Sequence, residues 1–339
     1  MLHRLIDFSL RQKLVVLALV GLMAFGGLTA LQHIPINSLP DVTPVQVLIL
    51  TKAGRYSPYD VEQLVSCPIE TAMTGLPRVK EVRSISQFGL SAVTVEFEEG
   101  TDIYFARQLV AQRLQDVREQ LPPDVSPPQL GPISTALGEI YQYVVRGEGY
   151  SLTELREIQD WVIAPQLRAV PGVTEVNSFG GFVKQYEVIV NPEQLRALRL
   201  SLRDIIEAIE QNNSVSGGNY LEHNEEQYII RGFGQIRTIA DLERIIVARR
   251  GDRPVYLQDV AQVRLGQQIR QGAVTQDGRG EVVTGIVMML RGENGREVIR
   301  RVEAKIAEIN PRLPQGVRIE KFYDQSDLIA RTTGTIRDN

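Results

Sequence analysis

The sequence predicts an α+β protein with one N-terminal transmembrane helix followed by two related β-α-β-β-α-β lobes, the second interrupted by an α+β inserted domain. Three observations predict this architecture. A long apolar run without charges lies near the N-terminus, one short phrase occurs twice, and four amphipathic helical patterns alternate with strand-like runs.

The apolar run extends from Leu14 to Leu31 without a charged residue. As a helix it would measure about 27 Å, which matches the hydrocarbon core of a bilayer. Arg4, Arg11 and Lys13 precede the run, so we expect the N-terminus in the cytoplasm and the remainder exported. A cleaved signal peptide is the alternative, but the run exceeds a usual signal core and TALQHIP lacks a small-residue cleavage site.

The phrase LPRVKEVRS at residues 76–84 returns at residues 170–178 as VPGVTEVNS. Each copy follows an amphipathic helical pattern with one interior proline, Pro68 or Pro165, where we expect a kink. Each copy also leads into a strand-like run. A junction that occurs twice in this way predicts two copies of one structural unit.

Two further helical patterns complete the two units, one over residues 101–121 and one over residues 296–313. Alternating strand-like runs flank the helices. These runs are VQVLILT, SAVTVEFE, YQYVV, VVTGIVMML and VRIEKFYD. Four helices between strands, in two sets, predict two ferredoxin-like sandwiches.

The second lobe is interrupted by residues 182–272, which carry strands of their own and a helical pattern over 202–211. Within them, NNSVSGGNY is polar and glycine-rich, which predicts a mobile loop or arm rather than a regular element. The tract LPPDVSPPQLGP is rich in proline and predicts a stiff connector between the lobes.

Composition excludes several classes of function. A net charge of -4 argues against nucleic acid as a partner. The single cysteine, Cys67, excludes an intrachain disulfide and a paired-cysteine zinc site, and we expect it to be a small core residue. The chain also lacks the GxSxG, HExxH and P-loop motifs, so an enzyme is not expected.

Several long phrases are spread over nearly the whole chain. They are SLPDVTPVQVLI, GTDIYFARQLVAQRLQ, GPISTALGEIYQY, LREIQDWVIAPQLRAVPGVTEV and FYDQSDLI. With these phrases the chain resembles the first third of a resistance–nodulation–division (RND) exporter, in the heavy-metal efflux branch. LREIQDWVIAPQL is closer to the cobalt–zinc–cadmium type of that branch than to the copper and silver type.

This resemblance implies a division of the chain into named regions. The regions are a surface helix with the first transmembrane helix (1–36), the first porter subdomain (37–134), the second porter subdomain (135–181 and 273–330), a docking funnel domain (182–272) and a lead toward a second transmembrane helix (331–339). The glycine-rich arm of the docking domain would reach a neighbouring subunit of a homotrimer.

The resemblance also implies a proton-driven antiporter in the bacterial inner membrane, with most of this portion in the periplasm. The implied partners are a periplasmic adaptor (membrane-fusion) protein, an outer-membrane channel protein and the lipid bilayer. No permanently bound cofactor is implied, because the divalent cation is cargo. The proton relay and the methionine triad of this family belong to later segments, so this portion is not expected to pump alone.

Glu139 and Glu175 are the candidate metal ligands. Both lie early in predicted strands of the second lobe, and in the family these strands face the cleft that the substrate crosses. Carboxylate oxygens suit hard or borderline divalent ions. By strand parity, Tyr141 shares a face with Glu139, and Asn177 and Phe179 share one with Glu175, so these three are candidate cleft residues.

Each candidate ligand has a structural alternative. Glu139 would cap a strand on the solvent face, and Glu175 would only repeat Glu81 of the first lobe. Met288 and Met289 are adjacent on one predicted strand, so their side chains face opposite sides, and we assign both to core packing.

The identity of the cargo and of the whole protein has alternatives as well. Copper and silver members carry a methionine where Ile269 stands, which favours zinc, cobalt, cadmium or nickel as the cargo here. The alternatives are a copper, silver or drug exporter of the same superfamily, and a membrane-tethered periplasmic binding or sensor module.

Overall fold

The computed structural model describes most of the chain in two compact units. The described residues are 12–33, 43–135, 138–223, 226–270 and 272–326, and the side chains at 28, 30–33, 215–223, 226 and 228–233 lie outside the description. The first unit comprises Met1–Gly149, Gln159–Phe179 and Val283–Asn339, and the second comprises Tyr150–Ile158 and Gly180–Val282. The predicted surface helix before the apolar run and the predicted lead over 331–339 lie outside the described residues.

Helix α1 extends over Lys13–His33 and includes the whole apolar run. Its described apolar side chains are largely exposed, among them Leu14 (84%), Leu22 (74%) and Phe25 (70%). Among the described residues, no helix combines the length and the apolarity that a membrane crossing requires. The membrane crossing of residues 14–31 therefore stays a prediction.

The first lobe follows as a four-stranded antiparallel sheet with two helices. Its elements are β1 (Gln46–Lys52), α2 (Pro58–Val61, Glu62–Ser66 and Cys67–Met73), β2 (Val79–Gln87), β3 (Leu90–Phe97), α3 (Ile103–Arg118) and β4 (Gln129–Leu130). The strand order is β2-β3-β1-β4. The short strand β4 lies in the proline-rich tract, so that tract is not only a connector, because two of its residues pair with β1.

The second lobe begins in the same way. It starts with β5 (Glu139–Gly147), α4 (Leu152–Ile158, Gln159–Ile163 and Ala164–Arg168) and β6 (Val173–Phe179). Both α2 and α4 contain a π-helical turn immediately before the piece that carries the interior proline. The kinks predicted at Pro68 and Pro165 therefore take the form of a widened turn, which accommodates the missing proline N–H.

The second compact unit contains the insertion. Its elements are β7 (Lys184–Val190), α5 (Pro192–Ala197), α6 (Leu202–Asn212), β8 (Val215–His223), β9 (Glu226–Phe233), α7 (Ile239–Glu243), β10 (Ile246–Arg250), β11 (Arg253–Tyr256) and β12 (Ala261–Gln267). The pairs β7 with β12, β8 with β9, and β10 with β11 are antiparallel. Its core is formed by residues such as Ile205, Leu257 and Val260.

The prediction that NNSVSGGNY forms no regular element is wrong. Residues from Val215 onward form strand β8, and its main chain pairs with β9 through a register shift between Gly217 and Tyr220. Main-chain pairing needs no apolar side chain, and a bulge accommodates the glycines. Polar, glycine-rich composition was therefore not sufficient to predict the absence of a strand here.

Three elements return the chain to the second lobe and complete its sheet. They are β13 (Val283–Met289), α8 (Gly295–Ile309) and β14 (Val317–Asp324). The strand order is β14-β5-β13-β6, which is the order of the first lobe with the strands renamed. The two copies of the repeated phrase thus occupy the same helix-to-strand junction in two copies of one unit, and the α+β class is confirmed.

The core of the first lobe lies between the sheet and its two helices. Val61, Val65, Ile69 and Met73 of α2 are fully buried there. Cys67, which was expected in the core, is exposed. The π-helical turn places Ser66 inward instead, where its hydroxyl contacts the hydroxyls of two serines of β2 and β3 at 2.7 Å.

Candidate functional site

Glu139, Met288 and Glu175 form one row across the sheet of the second lobe. Met288 of the middle strand β13 is paired with Glu139 of β5 on one side and with Glu175 of β6 on the other. Directly paired residues project from the same face of a sheet. Neighbouring strands are about 4.8 Å apart, so the two glutamate Cα atoms lie roughly 10 Å apart with Met288 between them.

A β-bulge in β5 places Glu139 in this row. Val287 is paired with Tyr141, but the next residue, Met288, is paired with Glu139, so Ile140 is an extra residue without a partner on β13. Ile140 is fully buried. In a regular strand Ile140 would stand opposite Met288, and the row would hold no carboxylate on this side.

The bulge also makes the prediction for Tyr141 wrong. Because the extra residue reverses the alternation, Tyr141 stands opposite buried Val287 and is only 3% exposed. Its ring lies 6.5 Å from that of Tyr143, and burial raises the pKa of Tyr141 to about 12. Tyr141 therefore belongs to the interior, on the opposite face from Glu139.

The parity prediction for β6 is confirmed. Asn177 is paired with Ile286, and Phe179 is paired with Thr284. These two pairs lie two and four residues along the strands from the pair of Glu175 and Met288. They therefore share the face of the row, and Phe179 is 47% exposed. Alternation along the sequence predicted this shared face correctly because β6 has no bulge between Glu175 and its last residue, Phe179.

The carboxylates of the row have no neutralising cation among the described residues. Glu139 is exposed and Glu175 is half-buried. Neither takes part in any of the ion pairs found in the described part of the chain. Two negative side chains on one face without a counter-charge form a site that a divalent cation can neutralise.

The first lobe contains the corresponding row, and there the charge is neutralised. Glu96 of β3 is paired with Glu81 of β2 and with Gln46 of β1. Lys80 Nζ lies 2.6 Å from Glu96 Oε1, and Arg83 Nη2 lies 3.9 Å from Glu96 Oε2.

The hydrogen bond from Lys80 holds the pKa of Glu96 below its usual range. At the positions of Lys80 and Arg83 the repeated phrase of the second lobe has Thr174 and Asn177. Glu175 thus repeats the position of Glu81 but not its surroundings.

Met288 is the residue of the row that the sequence analysis missed. Both methionines were assigned to the core, and this holds for Met289, which is 6% exposed. Met288 is half-buried and belongs to the opposite face, where it separates the two glutamates. The signal in the sequence was the opposite parity of the two methionines, but the partners of Met288 depend on a register that local sequence does not encode.

The described residues hold no cluster of three or more histidine, cysteine, aspartate or glutamate side chains that could bind a metal ion by themselves. The row supplies two carboxylates and one thioether, which is fewer than the four protein ligands of a structural zinc site. A cavity of about 460 Å³ between α2 and α3 is lined by Cys67 and Asp116 but brings no further soft or acidic donor to them. The row is therefore the better candidate for a cation.

The chain is similar to known proteins over nearly its whole length. A model of the AcrB/AcrD/AcrF family matches residues 5–339. Over its full length the chain is 47% identical to protein HelA of Legionella pneumophila and 45% identical to the cobalt-zinc-cadmium resistance protein CzcA of Cupriavidus metallidurans. The chain spans 33% and 32% of these relatives, about a third of their length.

A solved crystal structure is similar as well. It is described as a heavy metal efflux pump in its crystal form II, and it matches 98% of the chain with a TM-score of 0.90 and 32% identity. The chain covers 33% of that structure. Sequence and structure comparisons thus agree on the extent of the similarity.

Proposed function

Because the chain belongs to the AcrB/AcrD/AcrF family, we propose that it is the N-terminal part of a proton-driven exporter of divalent heavy-metal cations. Zinc, cobalt, cadmium and nickel are the proposed cargo. The whole-chain similarity to a cobalt-zinc-cadmium resistance protein supports this choice. The geometric observation that carries it is the pair of carboxylates, Glu139 and Glu175, on one face without a counter-cation.

In this proposal the row is a transient binding site for the cation during transport. Glu139 and Glu175 supply oxygen ligands, and Asn177 and Phe179 border the same face. Two carboxylates are too few for a tight zinc site, so a cation in transit would complete its ligand shell with water or with donors from the remainder of the pump. Incomplete coordination suits transport, since the cation must also leave.

The proposed location is the bacterial inner membrane, with both lobes in the periplasm. The exposed apolar side chains of α1, such as Leu17 (68%) and Met23 (70%), support burial of this helix in lipid. Lys13 at its start supports a cytoplasmic N-terminus. We further propose assembly as a homotrimer with a periplasmic adaptor protein and an outer-membrane channel protein, and residues 182–272 as the docking domain.

The test is Glu139→Gln in the complete pump, expressed in a metal-sensitive host. The amide has nearly the shape of the carboxylate but no charge, so strand pairing should persist. Zinc, cobalt and cadmium tolerance should fall while the protein reaches the membrane as a trimer. Glu81→Gln is the matched control, because it alters the corresponding row of the first lobe, where Lys80 and Arg83 already neutralise the central carboxylate, Glu96.

Equal tolerance of the Glu139→Gln strain and the wild type, at equal protein level, would assign Glu139 to the end of a strand only. An equal loss of metal tolerance in Glu139→Gln and Glu81→Gln would point to a general effect of removing a charge rather than to a cation path.

A further inference from the structure

We propose that Met288 makes the row selective for the softest of the divalent cargo ions, cadmium, by placing a thioether sulfur between the two carboxylates. This inference rests on the proposed export of divalent cations and adds a specificity-determining residue to it. It starts from the pairing of Met288 with both Glu139 and Glu175.

The backbone is irregular on both sides of Met288. On β5 the extra residue Ile140 lies next to Glu139, and on β6 the register shifts between the partners of Met288 and Met289. Bulges occur next to functional sites, where they redirect a side chain. Here each bulge adjoins the glutamate that stands opposite Met288.

The first lobe shows which of these irregularities belongs to the shared fold. Its β2 has the equivalent shift, between Val79 and Glu81, but β1 pairs with β3 without interruption. The bulge at Ile140 is therefore a feature of the second lobe alone. Its consequence is to place a carboxylate, rather than an isoleucine, beside Met288.

The two rows also differ in the side chain at their centre. The central position holds Glu96 in the first lobe and Met288 in the second. A carboxylate at the centre attracts the fixed cation Lys80. A neutral thioether adds a donor without adding charge, so one divalent cation balances the two flanking glutamates.

The chemistry of the three donors predicts their preference. Carboxylate oxygens bind every divalent cargo ion, whereas thioether sulfur prefers soft ions. Cadmium is larger and more polarisable than zinc, cobalt or nickel, so it gains most from the sulfur. Met288 therefore separates cadmium from the harder ions, and the two glutamates do not.

The decisive comparison is Met288→Leu with Met289→Leu, both in the complete pump purified in detergent. Leucine conserves most of the volume of methionine and removes the sulfur. Met289→Leu is the matched control, since it makes the same change at the adjacent residue on the buried face. Cadmium chloride and zinc chloride are titrated calorimetrically into each protein, and cadmium-edge X-ray absorption reports sulfur in the ligand shell.

We expect Met288→Leu to weaken cadmium binding relative to zinc binding by about tenfold and to remove the sulfur signal. Met289→Leu should change neither quantity. An unchanged cadmium-to-zinc ratio in Met288→Leu, or no sulfur signal in the wild type, would overturn the inference.

Glu139→Gln separates this inference from the proposed function. If Glu139→Gln abolishes binding of both ions while Met288→Leu changes nothing, only the selectivity is wrong. If neither ion binds the wild-type pump, or if the Glu139→Gln pump binds both ions normally, the proposed site fails and the inference fails with it.

Discussion

Arg78 and Gly172 occupy the same turn of the two lobes, and both have left-handed backbones with φ angles of 62° and 90°. Each residue directly precedes the first residue of a strand, Val79 or Val173. The turn therefore requires this conformation in both copies, although only one copy has the residue that adopts it without strain.

The first prediction concerns this turn. Arg78→Gly should raise the free energy of unfolding by about 1 kcal/mol, because glycine relieves the left-handed strain and offsets its own loss of backbone entropy. Gly172→Ala should lower it by more than about 1 kcal/mol, because a Cβ would also lie 2.6 Å from Cγ2 of Val298. Urea unfolding followed by circular dichroism measures both changes, and equal stability of Arg78→Gly and wild type would contradict the strain argument.

The repeated turn shows what local sequence predicts well. The helix-to-strand junctions, the four helices of the lobes and most of their strands followed from periodicity, because each pattern lies within one element. Helix α6, predicted over 202–211, was found over Leu202–Asn212. The borders of the inserted domain remain a prediction, since the second compact unit also includes Tyr150–Ile158 and extends to Val282.

The register between strands that are distant in the sequence could not be predicted from local patterns. The predicted parity for Tyr141 was wrong because one extra residue, Ile140, depends on what stands opposite it on β13. Parity for Phe179 was right because no bulge intervenes between it and Glu175. Register is set by pairing over long sequence separations, so the row around Met288 could not be predicted from any single strand.

The second prediction is that residues 14–31 remain in the mature protein as a membrane anchor. It rests on the uncharged run and the basic residues before it. Protein isolated from membranes should resist extraction with alkaline carbonate, and its N-terminal sequence should begin at or near Met1. A mature chain that begins near Pro35 would establish a cleaved signal peptide instead.

The third prediction concerns acid stability and Asp324, which is 8% exposed at the end of β14. Burial raises the pKa of Asp324, but hydrogen bonds from Lys321 and Ser326 outweigh burial and hold the pKa below its ordinary value of 3.8. The contribution of this carboxylate to stability is therefore fully present above the ordinary value and is lost as the pH falls through the folded pKa.

Asp324→Asn should accordingly destabilise the chain near neutral pH and flatten the acid limb of its stability curve below about pH 4. Thermal unfolding measured across the acid range provides the curve. Asp116→Asn is a suitable control, because Asp116 is exposed on α3 and forms no ion pair among the described residues. If Asp324→Asn and wild type lose stability in parallel as the pH falls, Asp324 is not the group responsible.

The last prediction removes the cations from the row of the first lobe, which then holds two carboxylates without a counter-charge, as the row of the second lobe does. Lys80→Thr with Arg83→Asn introduces the residue types that the second lobe has at these positions, Thr174 and Asn177. Glu96, whose side chain is only 10% exposed, then keeps its place opposite Glu81 but loses both of its cations. Without added metal the double variant should be less stable than wild type, because a largely buried carboxylate is left without a counter-charge.

Added zinc chloride should then stabilise the double variant more than it stabilises the wild type, since a bound cation replaces the lost charges and favours the folded state by mass action. Thermal unfolding with and without zinc chloride measures the difference. Adding Glu96→Gln to the double variant should abolish the gain, because the central carboxylate is then absent. A double variant that is destabilised but gains nothing from zinc would mean that two uncompensated carboxylates in this row are insufficient to attract a cation, and the same argument would then lose its force for Glu139 and Glu175.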